Sequence, residues 1–96
     1  MSNNNNSCRE ISMTGQFKRD VKKHCSELIS KEGIEILGKL IRDLPLPEKY
    51  SDHKLSHNWA DCRDCHIRPD LVLIYRKTKE NVLQLIRLGT HSELFK

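Results

Sequence analysis

One run of the chain limits its fold more than any other. Leu71-Val-Leu-Ile-Tyr75 is apolar throughout and sits between Arg68-Pro69-Asp70 and Lys77-Thr-Lys-Glu-Asn81. Side chains alternate between the two faces of a strand, so a strand apolar on both faces belongs at the buried centre of a sheet. The polar Lys77–Asn81 segment reads as a hairpin turn, and Val82 to Leu88 as the last strand, ended by Gly89. Arg68-Pro69-Asp70 reads as a turn or bulge, preceded by a strand from Trp59 to Ile67. Alternation places Cys62, Asp64 and His66 on one face of that strand and Arg63 and Cys65 on the other.

The first half supplies cover for such a sheet. Arg9 to Thr14 alternates polar and apolar residues as a short strand does, and Thr14 is a plausible N-cap for a helix beginning next to it. Phe17, Val21, Cys25 and Leu28 form one apolar helical stripe, with Lys18, Arg19, Lys22 and Lys23 off it. After a break at Ser30 to Gly33, Ile34, Leu37, Ile41 and Leu44 repeat the pattern until Leu44-Pro-Leu-Pro47 stops it. Glu48 to Asn58 lacks periodicity and reads as an ordered loop. The order β-α-α-β-β-β segregates helices from strands. The expected class is α+β, a helical hairpin packed on a mainly antiparallel sheet.

The chain has 96 residues, enough for one domain with one small core. Residues 8–96 are expected to form it, with Met1 to Ser7 as a disordered polar tail. No apolar stretch approaches the ~20 residues that span a bilayer. The start lacks a basic segment followed by an apolar one, so it is not a secretory signal and a cytoplasmic location is expected. The default for Cys8, Cys25, Cys62 and Cys65 is then free thiols. With 17 Lys/Arg against 13 Asp/Glu, the net charge of +4 permits an anionic partner without demanding one.

Acid–base residues gather among arginines in the second half: Asp52-His53, Arg63-Asp64-Cys65-His66-Ile67-Arg68-Pro69-Asp70, and Arg87-Leu-Gly-Thr-His91. Cys62-Arg-Asp-Cys65-His66 matches the haem-attachment pattern C-x-x-C-H, and the same residues with a further histidine could ligate zinc. On a strand, however, Cys62 and Cys65 face opposite ways, and no second C-x-x-C is present. Neither a metal nor another cofactor is expected. His24 and His57 read as ordinary surface or core histidines.

Cleavage of RNA without a metal needs a base for the 2′-OH, an acid for the leaving 5′-oxygen, and a cation for the charged transition state. Histidine can fill either proton role near neutral pH, and arginine's planar fork fits phosphate oxygens. His53, His66, His91, Asp70 and Arg87 cover these roles by residue type. Each also has a structural alternative: Asp70 could stabilise its turn, Arg87 could pair with Asp64, and Trp59 and Phe95 could be core.

The segments Asp52-His-Lys-Leu55, Arg63 to Asp70, Leu73-Ile-Tyr75 and Arg87-Leu-Gly-Thr-His-Ser-Glu-Leu-Phe95 resemble the YafQ branch of the RelE/ParE toxin superfamily, with Gly15 to Val21 and Leu44-Pro-Leu-Pro47 upstream. The resemblance covers residues 9 to 95 in order. It implies the small microbial-RNase-like α+β fold and the toxin of a type II toxin–antitoxin pair. Such a toxin is an mRNA interferase that cuts messenger in the ribosomal A site of the 30S subunit and is silenced by a RelB/DinJ-type antitoxin. It implies catalytic roles for His53, His66, Asp70 and His91, with His91 as general acid, and substrate contacts from Arg87, Phe95 and Asp64. The basic first helix would meet ribosomal RNA. The alternative within the superfamily is a ParE-like, non-catalytic protein that binds a target such as gyrase. Cys62 and Cys65 replace an aromatic and a small residue of the pattern, and the Asn-rich start has no counterpart in it.

Overall fold

A computed structural model describes residues 8–56 and 59–95. The expected tail and His57 lie outside the described residues. The elements are β1 (Glu10–Met13), α1 (Gly15–Leu28), α2 (Lys31–Ile41), a 3-10 turn (Glu48–Tyr50), β2 (His53–Lys54), β3 (Arg63–Arg68), β4 (Leu71–Lys77), β5 (Val82–Gly89) and α3 (His91–Leu94). The five strands form one sheet in the order β1-β5-β4-β3-β2. β1 runs parallel to β5 and every other pairing is antiparallel.

β4 is the central strand, and Leu71, Val72, Leu73, Ile74 and Tyr75 are all buried. The alternation of β4 divides the core. Leu71, Leu73 and Tyr75 join Cys65, Leu85 and Leu88 under the two long helices. Val72 and Ile74 join Cys62 and Leu94 on the opposite face, where Leu55, Trp59 and Ile86 cover them. Burying a side chain such as Leu73 contributes about 1.5–3 kcal/mol. Both layers therefore matter to so short a chain.

Local signals set the helix starts. Thr14 Oγ1 accepts from the Phe17 N–H at 2.9 Å, and Ser30 Oγ accepts from the Gly33 N–H at 3.2 Å. The second apolar stripe departs from expectation. Gly33, Ile36 and Leu40 are buried, whereas Ile34 and Leu44 are exposed. Gly33 is helical and packs so closely on α1 that a Cβ there would lie 1.9 Å from the Leu28 carbonyl oxygen. This contact rotates α2 away from the stripe expected from spacing. Asp43, with φ 60°, turns the chain out of the helix before Leu44.

Three further boundaries differ. The expected loop from Glu48 contains the 3-10 turn and the short β2, because His53 and Lys54 pair with Asp64 and Arg63. β3 begins at Arg63, not Trp59. A one-turn helix, α3, comes directly after β5 and was not expected.

Candidate active site

The histidines gather on the face of the sheet away from α1 and α2. β2 and β3 place His53 directly opposite Asp64. His53 Nδ1 lies 2.7 Å from the Ser51 carbonyl, which can only accept, so the network assigns a proton to Nδ1. Its Nε2 lies 3.0 Å from Asp64 Oδ1. Asp64 is only 3% exposed, and that oxygen makes no hydrogen bond of good geometry among the described residues. The contact is an ion-pair distance, favourable only with a proton between the two groups. Burial pushes the pKa of Asp64 above the usual carboxylate range, opposed by the nearby His53, His66 and His91.

His66 is two residues further along the same face of β3, with its ring 6.4 Å from that of His53 and 5.2 Å from that of His91. His91 opens α3. Asp70, in the tight β3–β4 turn, accepts through Oδ1 from the His91 N–H at 3.0 Å and lies 2.6 Å from His91 Nδ1. These two bonds, the side-chain one first, hold the Asp70 carboxyl below its usual range. An ionised Asp70 fixes a proton on His91 Nδ1, and Nε2 makes no hydrogen bond among the described residues. Asp70 thus serves more than its turn. Phe95, 38% exposed, lies 6.0 Å from the His91 ring and edge-on to Trp59 at 6.3 Å.

Arg87 is not paired with Asp64. Its Nε and Nη2 donate to Asp20 of α1 at 2.8 and 3.3 Å, and the Leu88 N–H adds a third bond to that carboxylate at 2.9 Å. Burial alone would raise the pKa of Asp20, but these bonds outweigh it and hold the carboxyl below its usual range. Asp52 is likewise structural, because Arg63 grips it with two nitrogens and the Tyr75 hydroxyl donates to it. Cys62 and Cys65 pack in different layers of the core. A single haem or zinc ion cannot engage both, which removes the C-x-x-C-H reading.

Residues 9–96 match the family described as bacterial toxin of type II toxin-antitoxin system, YafQ. The chain belongs to this family. It is 39% identical over 89 residues to the mRNA interferase toxin YafQ of Escherichia coli, covering 91% of this chain and 96% of that one. The fold is similar to the toxin in the E. coli DinJ-YafQ complex, with a TM-score of 0.78 and 38% identity, over 92% of this chain and 99% of that one. A metal-bound toxin from Helicobacter pylori is 39% identical with a TM-score of 0.81, over 91% of this chain and 99% of that one. Among the described residues of this chain, no group of three or more His, Cys, Asp or Glu side chains is arranged to hold a metal ion.

Sequence reasoning missed how this YafQ-family site is braced. Thr90 and Glu93 form a reciprocal capping box around the start of α3. Glu93 Oε1 also lies 3.0 Å from His24 Nε2 on α1, and Lys23 Nζ is 3.5 Å from Oε2. The cap and the His24 contact hold the Glu93 carboxyl down at about 2. The Thr90-His-Ser-Glu93 spacing was a readable signal for this helix. Nothing local marked His24, because its partner lies 69 residues away.

Proposed function

We propose that this chain is the toxin of a type II toxin–antitoxin pair and an endoribonuclease that cleaves messenger RNA on the ribosome, in the 30S A site, in the bacterial cytoplasm. Residues 8–96 would act as one domain, silenced by a DinJ-type antitoxin. The names of the E. coli relative and complex support this reading over a gyrase-binding one. The observation that carries it is His91, held through Nδ1 by Asp70, with Nε2 unbonded among the described residues and the His66 ring at 5.2 Å.

The proposed step is attack of the ribose 2′-oxygen on the adjacent phosphorus with breakage of the bond to the 5′-oxygen. His66 accepts the 2′-OH proton. It is the base of choice because both His53 nitrogens are engaged by Ser51 and Asp64, and Asp70 is committed to His91. His91, protonated at Nε2, donates to the leaving 5′-oxygen, and Asp70 orients it. The His53–Asp64 pair, joined by a shared proton, is neutral as a unit and fixes the His53 ring beside His66 without leaving Asp64 as a bare buried anion. Phe95 offers a half-exposed ring for a base to stack on. Arg87 has two nitrogens on Asp20, so only Nη1 remains for a phosphate. No step requires a metal.

An acid–base residue of this type contributes about 10²–10⁴-fold. Expression of His91→Gln without antitoxin should permit growth, with messenger cleavage reduced by that factor and an unchanged melting temperature. A folded His91→Gln variant as toxic as its parent would remove His91 from the chemistry.

A further inference from the structure

The sheet face that carries the histidines continues beyond them. On β4, Val72, Ile74 and Arg76 share that face, with Val72 beside His66 and Ile74 beside Asp64. Arg76 is the next rung, four residues from Val72, or about 13 Å along the strand. It borders a cleft of about 690 Å³ whose basic lining is Lys54, Arg63, Arg76, Lys77 and Lys79. Asp61 and Glu80 are the acids in its wall.

The cations are not equivalent. Arg63 is spent on Asp52, and Lys77 on Asp43 at 2.7 Å. Lys54 and Lys79 make no ion pair among the described residues. Arg76 donates from Nη2 to the Gln84 amide oxygen at 2.8 Å, while its Nε is buried with no partner among the described residues. A neutral amide orients the guanidinium without cancelling its charge. The side chain is only half-buried, and Nη1 makes no hydrogen bond among the described residues, which leaves a charged donor for an anionic acceptor.

We propose that this cleft binds a backbone phosphate of the messenger strand that flanks the scissile bond, with Arg76 as the principal contact and Lys54 and Lys79 beside it. The proposal rests on the endoribonuclease reading. Continuity selects RNA over an acidic peptide. A strand whose scissile phosphate lies between His66 and His91 would pass over the cover of Leu55 and Trp59 toward Arg76, which is about 13 Å beyond Val72 along β4. Asp61 and Glu80 keep the cleft from being a general anion trap, so one well-placed phosphate is the fitting ligand.

The test is single-turnover cleavage of messenger programmed into ribosomes, with toxin concentration varied. Arg76→Gln should raise the half-saturating concentration about tenfold and reduce the salt slope by about one, while the plateau rate stays within twofold. Exposed Lys79→Gln, which carries no folding risk from burial, should shift it about two- to threefold, and Arg76→Lys should recover part of the loss. A messenger with neutral methylphosphonates at the second phosphate on each side of the cut should weaken the parent and abolish the Arg76→Gln penalty. Unchanged half-saturation in both glutamine variants would overturn the proposal, as would a fall confined to the plateau. A penalty that survives the methylphosphonates would assign the cleft to ribosomal RNA, and weakened antitoxin binding with normal cleavage would assign it to an acidic peptide. Either result overturns the messenger assignment. Failure of the parent to cut messenger at all would instead sink the endoribonuclease reading, and this proposal with it.

Discussion

Arg87 shows how a residue of the right type can be engaged elsewhere. Its fork fits a carboxylate as well as a phosphate, and Asp20 takes two of its nitrogens. Removing one partner of a buried pair strands the other, at a cost of about 3–5 kcal/mol. Arg87 is 23% exposed, so Arg87→Ala should fall toward the lower end of that range in urea denaturation. Arg87→Met combined with Asp20→Asn should recover part of the loss. If the Arg87→Ala protein is as stable as its parent, its activity can be read as phosphate contact alone. The histidines differ from Arg87 because their partners lie within the cluster: Asp64 for His53 and Asp70 for His91.

At the scale of elements, two short contacts decide whether the scaffold holds. The first is the approach of α2 to α1 at Gly33. A Cβ 1.9 Å from the Leu28 carbonyl must displace backbone, so Gly33→Ala should cost at least the ~1–3 kcal/mol of an overpacked core. Gly38, on the same helix, has nothing within 4 Å of its Cβ position, and Gly38→Ala should stabilise by up to ~1 kcal/mol. Urea midpoints for the pair would separate crowding from helix propensity. The second contact is the bracing of α3. Glu93 is held at about 2 against an ordinary 4.5, so its contribution is fully present above pH 4.5 and is lost as pH falls toward 2. Trp59 is the only tryptophan and touches Phe95 at the end of α3. Its fluorescence should therefore change over that acid window, with a smaller amplitude in Glu93→Gln. A full-amplitude transition in that variant would take Glu93 out of the account.

At the scale of the whole molecule, the sheet separates two chemistries. One face is a dry layer under α1 and α2. The other carries a thin apolar layer with the histidines beside it. The cysteines report this division. Cys8 and Cys25 are exposed, whereas Cys62 and Cys65 are buried in opposite layers, and burial pushes both of those thiols above their usual range. A thiol reagent at neutral pH should modify two cysteines quickly in the native protein and all four in denaturant. Rapid modification of Cys62 in the folded state would mean that the histidine-bearing face is not closed as described.

The features legible in the sequence were those carried by a few neighbouring residues. Leu71 to Tyr75 announced a central strand, Thr14 announced a helix start, and alternation placed Cys62 and Cys65 on opposite faces. Together with the family resemblance, residue type named His53, His66, Asp70 and His91. The tertiary structure decided what each side chain does with its hydrogen bonds. Asp20 and Arg87 are 67 residues apart, His24 and Glu93 are 69 apart, and the choice between two overlapping stripes on α2 depended on one backbone contact at Gly33. Local preference arises from a residue and its near neighbours. The partner of a charged group depends on which distant segment the fold brings within 3 Å, and no spacing in the chain encodes that.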